Sequence, residues 1–470
     1  MNPRIREAEN YRILPRMKLE LTWDDAAKAS SGRLLRGRPG ARLSSLSIDS
    51  RKISPGEAFL PLKGERFDAH SFLDARLAGL CGGWIVRRGA ALPEQLPPQV
   101  LEVEDTLRAL ADVAGAHRSR FDIPVAGITG TNGKTTTKEM LRAVLARKGE
   151  VCATEGNHNN EVGLPWTVLG LGEGTRYAIF EMGASHPGDI SYLCRAARPT
   201  IGIITNIGAA HLEFFGSLER VFRTKSELIE SLPKDAPAVL NADDPYLTRL
   251  LPGLGRRAFT FGEGEHAQVR ALAAPPGSIR LRLPGPAEIS VSLPGCGRIH
   301  RLDAAAAAAA AHALGFSPED IRAGLSGFRP APLRMAPRAH SSGSWFLIDA
   351  YNANPDSMRA GIETFLETAP EGKRFLVLGD MRELGPESGQ MHHALGQWLA
   401  SLPLAGVFLT GTETARTEEA LRENNAPFEV LHAADAQALR PALRARLGPG
   451  VCVYFKASRA MRLEALAEAL

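Results

Sequence analysis

Gly127-Ile-Thr-Gly-Thr-Asn-Gly-Lys-Thr-Thr-Thr137 is the stretch on which the reading of this chain turns. A short apolar run, Ile123-Pro-Val-Ala126, precedes it, and an amphipathic run, Lys138-Glu-Met-Leu-Arg-Ala-Val-Leu-Ala-Arg147, follows it. The pattern is strand, glycine-rich turn, helix. Such a turn wraps backbone N–H groups around a phosphate, and the helix N-terminus adds positive potential. Gly130, Thr131, Asn132, Gly133, Lys134, Thr135 and Thr136 form the cradle. Lys134 is placed to reach terminal phosphates and the Thr135 hydroxyl to sit on Mg²⁺. The loop reads G-x-x-G-K-T, because Ile128 stands where G-x-x-x-x-G-K-T has its first glycine.

Outward from the loop, three regions separate. Residues 17–120 carry short strands such as Ala58-Phe-Leu-Pro-Leu62 and Gly83-Trp-Ile-Val86, with helical runs between them. Residues 121–330 hold the loop and then apolar runs that each end in a polar residue: Tyr177–Glu181, Thr200–Asn206 and Ala238–Asn241. Runs of this kind alternating with helices predict parallel strands of an α/β sheet. The stretch 258–295, punctuated by Gly and Pro and alternating in polarity, predicts antiparallel strands instead. The eight alanines of 304–311 predict a tightly packed buried helix with Asp303 as its cap. Residues 331–470 return to the α/β pattern in Trp345–Asp349, Arg374–Gly379, Gly406–Thr410 and Val451–Phe455. A chain of 470 residues is too long for one core, and three domains are expected.

Ligands of an open parallel sheet bind beyond the carboxyl ends of its strands. The loop, Glu181-Met-Gly and Asn206-Ile-Gly-Ala-Ala-His211 all fall at such ends. Glu181 offers Mg²⁺ a hard oxygen ligand; on its own such a residue is more often a solvated strand-end carboxylate, and its place beside the loop favours the ligand. His211 fits a second metal site or a held water; alone it is a loop histidine with a hydrogen-bond partner. The segment Leu218–Glu230 predicts a helix whose apolar line runs Leu218, Val221, Phe222, Leu228 and Ile229, with Lys225 in the gap. A lysine there is desolvated, which favours the neutral amine, and a neutral amine adds CO₂ to give a cation-binding carbamate. The plainer reading is a lysine that snorkels past the stripe. Asn157, Asn159 and Asn160 suit recognition of a polar ligand and suit ordinary turns as well.

Composition narrows the class. Lys and Arg number 56 and Asp and Glu 52, a net charge of +4, and no dense basic run with interleaved aromatics argues for nucleic acid. The five cysteines are scattered with no C-x-x-C pair, so neither a disulfide frame nor a zinc site is expected and a reducing cytoplasm is the simple reading. No apolar run reaches membrane length, and the N-terminus lacks a signal-peptide core. Met17 opens a better-patterned segment than Met1, which makes residues 1–16 a flexible extension or a misassigned start. No long coiled-coil pattern demands assembly, and a monomer is expected.

Taken together, Thr129-Gly-Thr-Asn-Gly-Lys-Thr-Thr136, Asn157-x-Asn-Asn160, Glu181-Met-Gly-Ala184, Asn206-Ile-Gly-x-Ala-His-Leu-Glu213, Lys225 and Leu240-Asn-Ala-Asp-Asp-Pro245 resemble the Mur ligases, ATP-dependent amide-forming enzymes of peptidoglycan precursor assembly. The resemblance runs from about residue 45 to the C-terminus. Ile48-Asp-Ser-Arg-Lys-Ile-Ser-Pro-Gly-Glu-Ala-Phe59, Lys63-Gly64 and Asp68-Ala-His70 look like the uridine-nucleotide-binding domain of the members that add the third amino acid and the final dipeptide. Asp349-Ala-Tyr-Asn-Ala-Asn-Pro-Asp-Ser-Met358, Leu378-Gly-Asp-Met-Arg-Glu-Leu-Gly385 and Lys456-Ala-Ser-Arg459 are similar to the dipeptide-adding member, and the D-N-P-R motif of the diaminopimelate-adding one is absent. The pattern departs at Ile299-His300 and Asp303, where the family has His-Asn and a later Asn. It departs again at Leu333-Arg334, where the family has Gly-Arg, and at Ala457, where it has Gly.

The resemblance implies an α/β protein of three domains. These are a small α/β nucleotide-sugar domain (17–120), a central P-loop-type ATPase domain with a mostly parallel sheet (121–330), and a C-terminal Rossmann-like domain (331–470). It implies ligation of D-alanyl-D-alanine to UDP-N-acetylmuramoyl-tripeptide through an acyl phosphate, with ATP and two Mg²⁺ ions. Thr135 and Glu181 are implied for one ion, and His211 with a carbamylated Lys225 for the second. Lys134 and Arg334 are implied for the transferring phosphoryl group, and Asn352 and Asn354 for the nucleotide. Ser50, Arg51, Lys63, Asp68, Asn157, Asn159, Asn160, Lys456, Ser458 and Arg459 are implied for the other substrates. The partners implied are these small molecules alone. An ATP-hydrolysing switch is the contrasting class, and the N-terminal motif together with Tyr351-Asn-Ala-Asn354 argues against it.

Overall fold

The computed structural model describes residues 18–64, 67–209, 211–293 and 295–470. The expectation for residues 1–16 and a start at Met17 lies outside them. The fold is α/β with several mostly parallel sheets. Two compact units can be separated. One holds the described residues up to Thr129 with Lys148–Gly202 and Thr224–Ala236; the other holds Gly130–Arg147, Ile203–Arg223 and Pro237–Leu470.

In the first unit, β1 (Arg33–Arg36), β2 (Leu46–Ser47), β3 (Ala58–Phe59), β4 (Gly83–Arg87) and β5 (Val100–Val103) lie in the order β1-β5-β4-β3-β2. β2 through β5 are parallel, and β1 pairs antiparallel at the edge. Phe59, Leu77, Trp84, Val86 and Val100 fill one face. The helix α1 (Thr106–Arg118) starts where the Asp105 carboxylate accepts from the Arg108 N–H. The expected strand at 123–126 sits slightly later, as β6 (Val125–Thr129), because the first residues of the glycine stretch are themselves buried ladder. A side chain at Gly127 would come within 2.9 Å of Leu228, which explains the glycine there.

The helix after the loop, α2 (Lys134–Leu145), starts four residues earlier than its amphipathic run suggested. β7 (Glu150–Ala153) and β8 (Thr175–Glu181) follow, and β8 is parallel to both β6 and β7. β9 (Ile201–Ile204) is wholly buried, and α3 covers Leu218–Glu230 as the periodicity predicted. In the second unit, β10 (Ala238–Asn241), β11 (Ala258–Gly262), β12 (Val269–Leu272), β13 (Ser278–Arg282) and β14 (Glu288–Ser292) are successive neighbours. Here the antiparallel expectation for 258–295 needs correction. β11 and β12 pair parallel, as β10 and β11 do, and only the last two pairings are antiparallel.

The alanine run lies in α4 (Arg298–Ala313), and Ala304–Ala311 are fully buried. Asp303 is not its cap. The helix opens five residues earlier, where Glu367 accepts from the Arg298 N–H. The C-terminal sheet comprises β15 (Ala336–Ala339), β16 (Trp345–Asp349), β17 (Lys373–Gly379), β18 (Gly406–Thr410), β19 (Glu429–Ala433) and β20 (Val451–Lys456), in the order β15-β16-β20-β17-β18-β19. All pairings but β15 with β16 are parallel. Apolar clusters cover both faces, as the uninterrupted apolar strands require. The helix α5 (Pro355–Thr368) packs on one of them.

Candidate active site

The phosphate-type loop belongs to the second unit and is built on backbone that only glycine accepts easily. Gly130 has φ +147° and Gly133 φ +81°. A Cβ at Gly130 would fall 1.8 Å from Thr205 Oγ1, and one at Gly133 would fall 2.2 Å from Asp303 Oδ1. Asn206 holds the loop from beneath. Its Oδ1 accepts from the Asn132 N–H at 2.9 Å, its Nδ2 donates to the Asn132 carbonyl at 3.1 Å, and its own carbonyl accepts from the Thr131 N–H. Thr131 Oγ1 takes the Gly208 N–H at 2.9 Å. No side chain caps the amino end of α2 at Gly133, so the helix's positive end opens onto the loop. Lys134 Nζ lies back over the loop, 2.7 Å from the Gly130 carbonyl and 3.0 Å from that of Thr131.

Residues from far along the chain close on this loop within the same unit. Asn354 and Asn132 form a reciprocal amide pair, with Asn354 Nδ2 to Asn132 Oδ1 at 2.9 Å and the converse bond at 3.4 Å. Asn354 also caps α5, accepting from the Ser357 N–H at 2.8 Å, so a rigid helix end positions its amide. Arg334 Nη2 reaches Thr135 Oγ1 at 3.4 Å, and its guanidinium lies 3.9 Å over the Tyr351 ring. The residues on either side, Leu333 (φ +61°) and Met335 (φ +47°), both occupy left-handed backbone, strain of the kind that accompanies a side chain held in place. His211 Nδ1 meets Glu383 Oε2 at 2.5 Å, and this bond holds the Glu383 carboxyl below the usual carboxylate range. A carboxylate on one ring nitrogen orients the other outward, the arrangement of many metal-ligating histidines.

Sequence reasoning assigned no role to Asp356, Glu383 or Tyr351. Asp356 Oδ2 accepts from the Ala209 N–H at 3.1 Å. All three lie inside stretches already quoted as motifs, and Asp356 and Glu383 were overlooked because their partners are more than a hundred residues away.

In the first unit, Glu181 ends β8 and is 2% exposed, with Oε1 accepting from Asn159 Nδ2 at 2.9 Å. It is therefore a buried, oriented carboxylate and not a solvated one. Asn160 Oδ1 accepts from the Val162 and Gly163 N–H groups, which is the ordinary turn role. Lys225 is 3% exposed on α3, so it does not snorkel into solvent. At the carboxyl ends of β2 and β3, Ser50, Arg51, Lys63 and Asp68 occupy adjacent loops. Arg51 makes a bidentate pair with Asp49 at 2.9 and 3.0 Å, Lys63 bridges Asp68 backbone to backbone, and the Asp68 carboxylate holds His70 at 2.6 Å.

The Lys456, Ser458 and Arg459 cluster is arranged differently from expectation. Lys456 is 2% exposed and its ammonium points inward, 2.5 Å from Asp349 Oδ2 and 3.0 Å from the Asn352 carbonyl. Tyr454 donates to the same Asp349 oxygen at 3.0 Å. Ser458 Oγ accepts from the Arg382 N–H at 2.8 Å, and Arg459 pairs with Glu464. Lys456 and Ser458 thus brace the backbone on which Asn352 and Arg382 stand. Among the described residues, no group of three or more His, Cys, Asp and Glu side chains gathers to hold a metal. Each unit by itself offers a hard oxygen of the kind Mg²⁺ takes, the Thr135 hydroxyl in one and the buried Glu181 carboxylate in the other.

Two family patterns match the chain: the Mur ligase middle domain over residues 128–311, and the Mur ligase glutamate ligase domain over residues 333–459. The UDP-N-acetylmuramoyl-tripeptide–D-alanyl-D-alanine ligase of Bacillus subtilis is 35% identical over 427 residues, covering 90% of this chain and 92% of that protein. The crystal structure of MurF from Acinetobacter baumannii superposes with a TM-score of 0.86 at 32% identity, over 96% of this chain and 99% of that one. The structure of MurF ligase from Thermotoga maritima in complex with ADP gives a TM-score of 0.80 at 32% identity, over 91% and 96%.

Proposed function

This chain belongs to the Mur ligase family, and from that premise we propose that it is the ATP-dependent ligase joining D-alanyl-D-alanine to UDP-N-acetylmuramoyl-tripeptide. The products are UDP-N-acetylmuramoyl-pentapeptide, ADP and phosphate. The near full-length similarity to ligases of that name supports this reading. The single structural observation that carries it is the amide pair between Asn132 and Asn354. It joins a phosphate-binding loop to a second, C-terminal motif that a simple nucleotide switch does not need. The domain division that goes with this function is 17–120 for the nucleotide-sugar peptide, 121–330 for ATP and 331–470 for the Rossmann-like ligase part.

The chemistry follows from charge. A peptide carboxylate is a poor electrophile, and transfer of the γ-phosphoryl group of ATP makes it an acyl phosphate with a good leaving group. The amine of D-alanyl-D-alanine then attacks the acyl carbon, phosphate leaves, and the amide forms. The first step brings two anions together, so the site has to present cations and oriented dipoles. Loop 130–136 and the open end of α2 seat the phosphates, and Lys134 swings from the loop carbonyls to the transferring group. Arg334, held on Tyr351 beside Thr135, stabilises the same group from the other side. Asn354 holds Asn132 in place, and Asn352 contributes to the nucleotide's seat.

Thr135 and Glu181 are the residues that would hold one Mg²⁺, and His211 with Lys225 the second. Lys225 does so after its neutral amine adds CO₂ and releases one proton to give a carbamate. When bound, these ions neutralise phosphate charge as the anionic partners approach. Ser50, Arg51, Lys63, Asp68, Asn157, Asn159 and Asn160 contact the nucleotide-sugar peptide, and Arg459 the second substrate. Lys456 and Ser458 act beneath them as braces. The enzyme works in the cytoplasm as a monomer; no described helix is long and apolar enough to cross a membrane.

The test is ADP release by the purified protein with ATP, Mg²⁺ and UDP-N-acetylmuramoyl-tripeptide, with and without D-alanyl-D-alanine, and mass spectrometry of the product. Dipeptide-dependent release with a pentapeptide product is expected. ADP release indifferent to every peptide substrate would sink the assignment.

A further inference from the structure

Asp303 sits on α4 with its carboxyl pressed against the phosphate-binding loop. Its Oδ1 lies 3.5 Å from Thr137 Oγ1 and occupies the space a Gly133 side chain would take, at 2.2 Å from that ideal Cβ. Gly133 immediately precedes Lys134, so the carboxyl adjoins the ground on which an anionic ligand is seated. The open amino end of α2 at Gly133 favours a negative charge there. Lys134 and Lys138 of α2 are turned to the Gly130 and Thr131 carbonyls and to Glu139 respectively. Arg334 and the hydroxyl of Thr137 favour the carboxylate, and Cys296 is the other titratable group that feels it. Crowding by the surrounding protein outweighs them and raises the Asp303 carboxyl to about 8, while the residue itself stays partly exposed.

We propose that Asp303 couples nucleotide binding to protonation. The phosphates seated on residues 130–136 are held only while this carboxyl carries its proton, and binding at alkaline pH draws one proton from solvent onto it. A water-borne proton becomes the carboxyl O–H, and no other bond changes. A neutral carboxyl still accepts from Thr137 and places no charge beside the phosphates, whereas an ionised one repels them at short range. The inference rests on the nucleotide-site reading above and adds a group that no phosphate-loop pattern contains.

The experiment is calorimetric titration of the full-length protein with ADP in EDTA, from about pH 7 to about pH 9.5, for the wild type and Asp303→Asn. Phosphate oxygens have a second pKa near about 6 and are fully ionised across most of this range. For the wild type, Kd is expected to hold steady to about pH 7.5 and then rise, approaching about tenfold per pH unit. For Asp303→Asn it should stay flat. Titration in buffers of unequal ionisation enthalpy should show close to one proton taken up per ADP at about pH 9 by the wild type and none by the variant. Parallel wild-type and variant curves, with ADP bound at neutral pH, overturn the coupling and leave the nucleotide site standing. Failure of the wild type to bind ADP at any pH overturns the site and the coupling with it. If Asp303→Asn does not fold, the wild-type proton count decides alone, and no uptake at about pH 9 refutes the proposal.

Discussion

Lys225 shows what a single position can carry. It fills the gap in an apolar helical line, and the structure buries it to 3% exposure. Under the proposed function its amine is carried there as a carbamate that meets a cation. Lys225→Ala is expected to abolish useful ligation, losing about a hundred- to a thousandfold in turnover, the scale of removing an electrostatic group that acts on the transition state. Lys225→Glu, which restores an anion near the same place, should recover part of it. Wild-type turnover in Lys225→Ala would end the carbamate role.

The same scale shows where sequence reading reached and where it stopped. Glycines at 130 and 133 were legible because a phosphate loop needs their backbone. The inward turn of Lys456 was not, because nothing local tells a lysine at a strand end that Asp349 waits on the neighbouring strand. Asp356 and Glu383 were missed for the same reason, since their partners are brought to them by the fold alone.

Among the elements, periodicity was the dependable guide. Leu218–Glu230 is helical over the span its apolar line gave, and Ala238–Asn241, Trp345–Asp349 and Gly406–Thr410 are strands at the residues read. Strand direction was less legible at 258–295, since alternation reports that one face is buried and says nothing of which neighbour pairs. The start of α4 was misjudged because its first free N–H is satisfied by Glu367, a carboxylate from α5, where local reading looks only for a cap within the segment. That helix also yields a prediction. Ala304–Ala311 have no solvent exposure, and α4 packs against α2 and the strands β11 to β13. Ala308→Leu should therefore destabilise the fold by about 1–3 kcal/mol through overpacking. Urea unfolding is the measurement, and an unchanged midpoint would show a cavity where none is expected.

For the molecule as a whole, acid is the vulnerable direction. Burial lowers the affinity of His117, His158, His300 and His392 for protons, taking His300 down to about 4. His300 Nδ1 accepts from the Gly297 N–H at 3.3 Å, a bond an imidazolium cannot make. Above an unfolded pKa near about 6.5 both states are neutral and these groups contribute nothing to pH dependence. Below it the unfolded chain takes up protons that the fold refuses, so stability falls as pH drops from about 6.5 towards the folded values. For His300 alone the loss at about pH 5 is about 2 kcal/mol. His300→Gln should flatten the fall of melting temperature between about pH 6.5 and about pH 5, and an equally steep fall would exclude His300 as its source. At this scale too, the Asn132–Asn354 pair sets a timetable. Its two halves are 222 residues apart in the chain. Synthesis proceeds at about 5–20 residues per second, so a ribosome that has released the loop needs roughly another ten to forty-five seconds to deliver its brace. A nascent or prematurely ended chain therefore holds its loop on Asn206 and Gly208 without Asn354, and the brace that completes the site arrives only with the C-terminal motif.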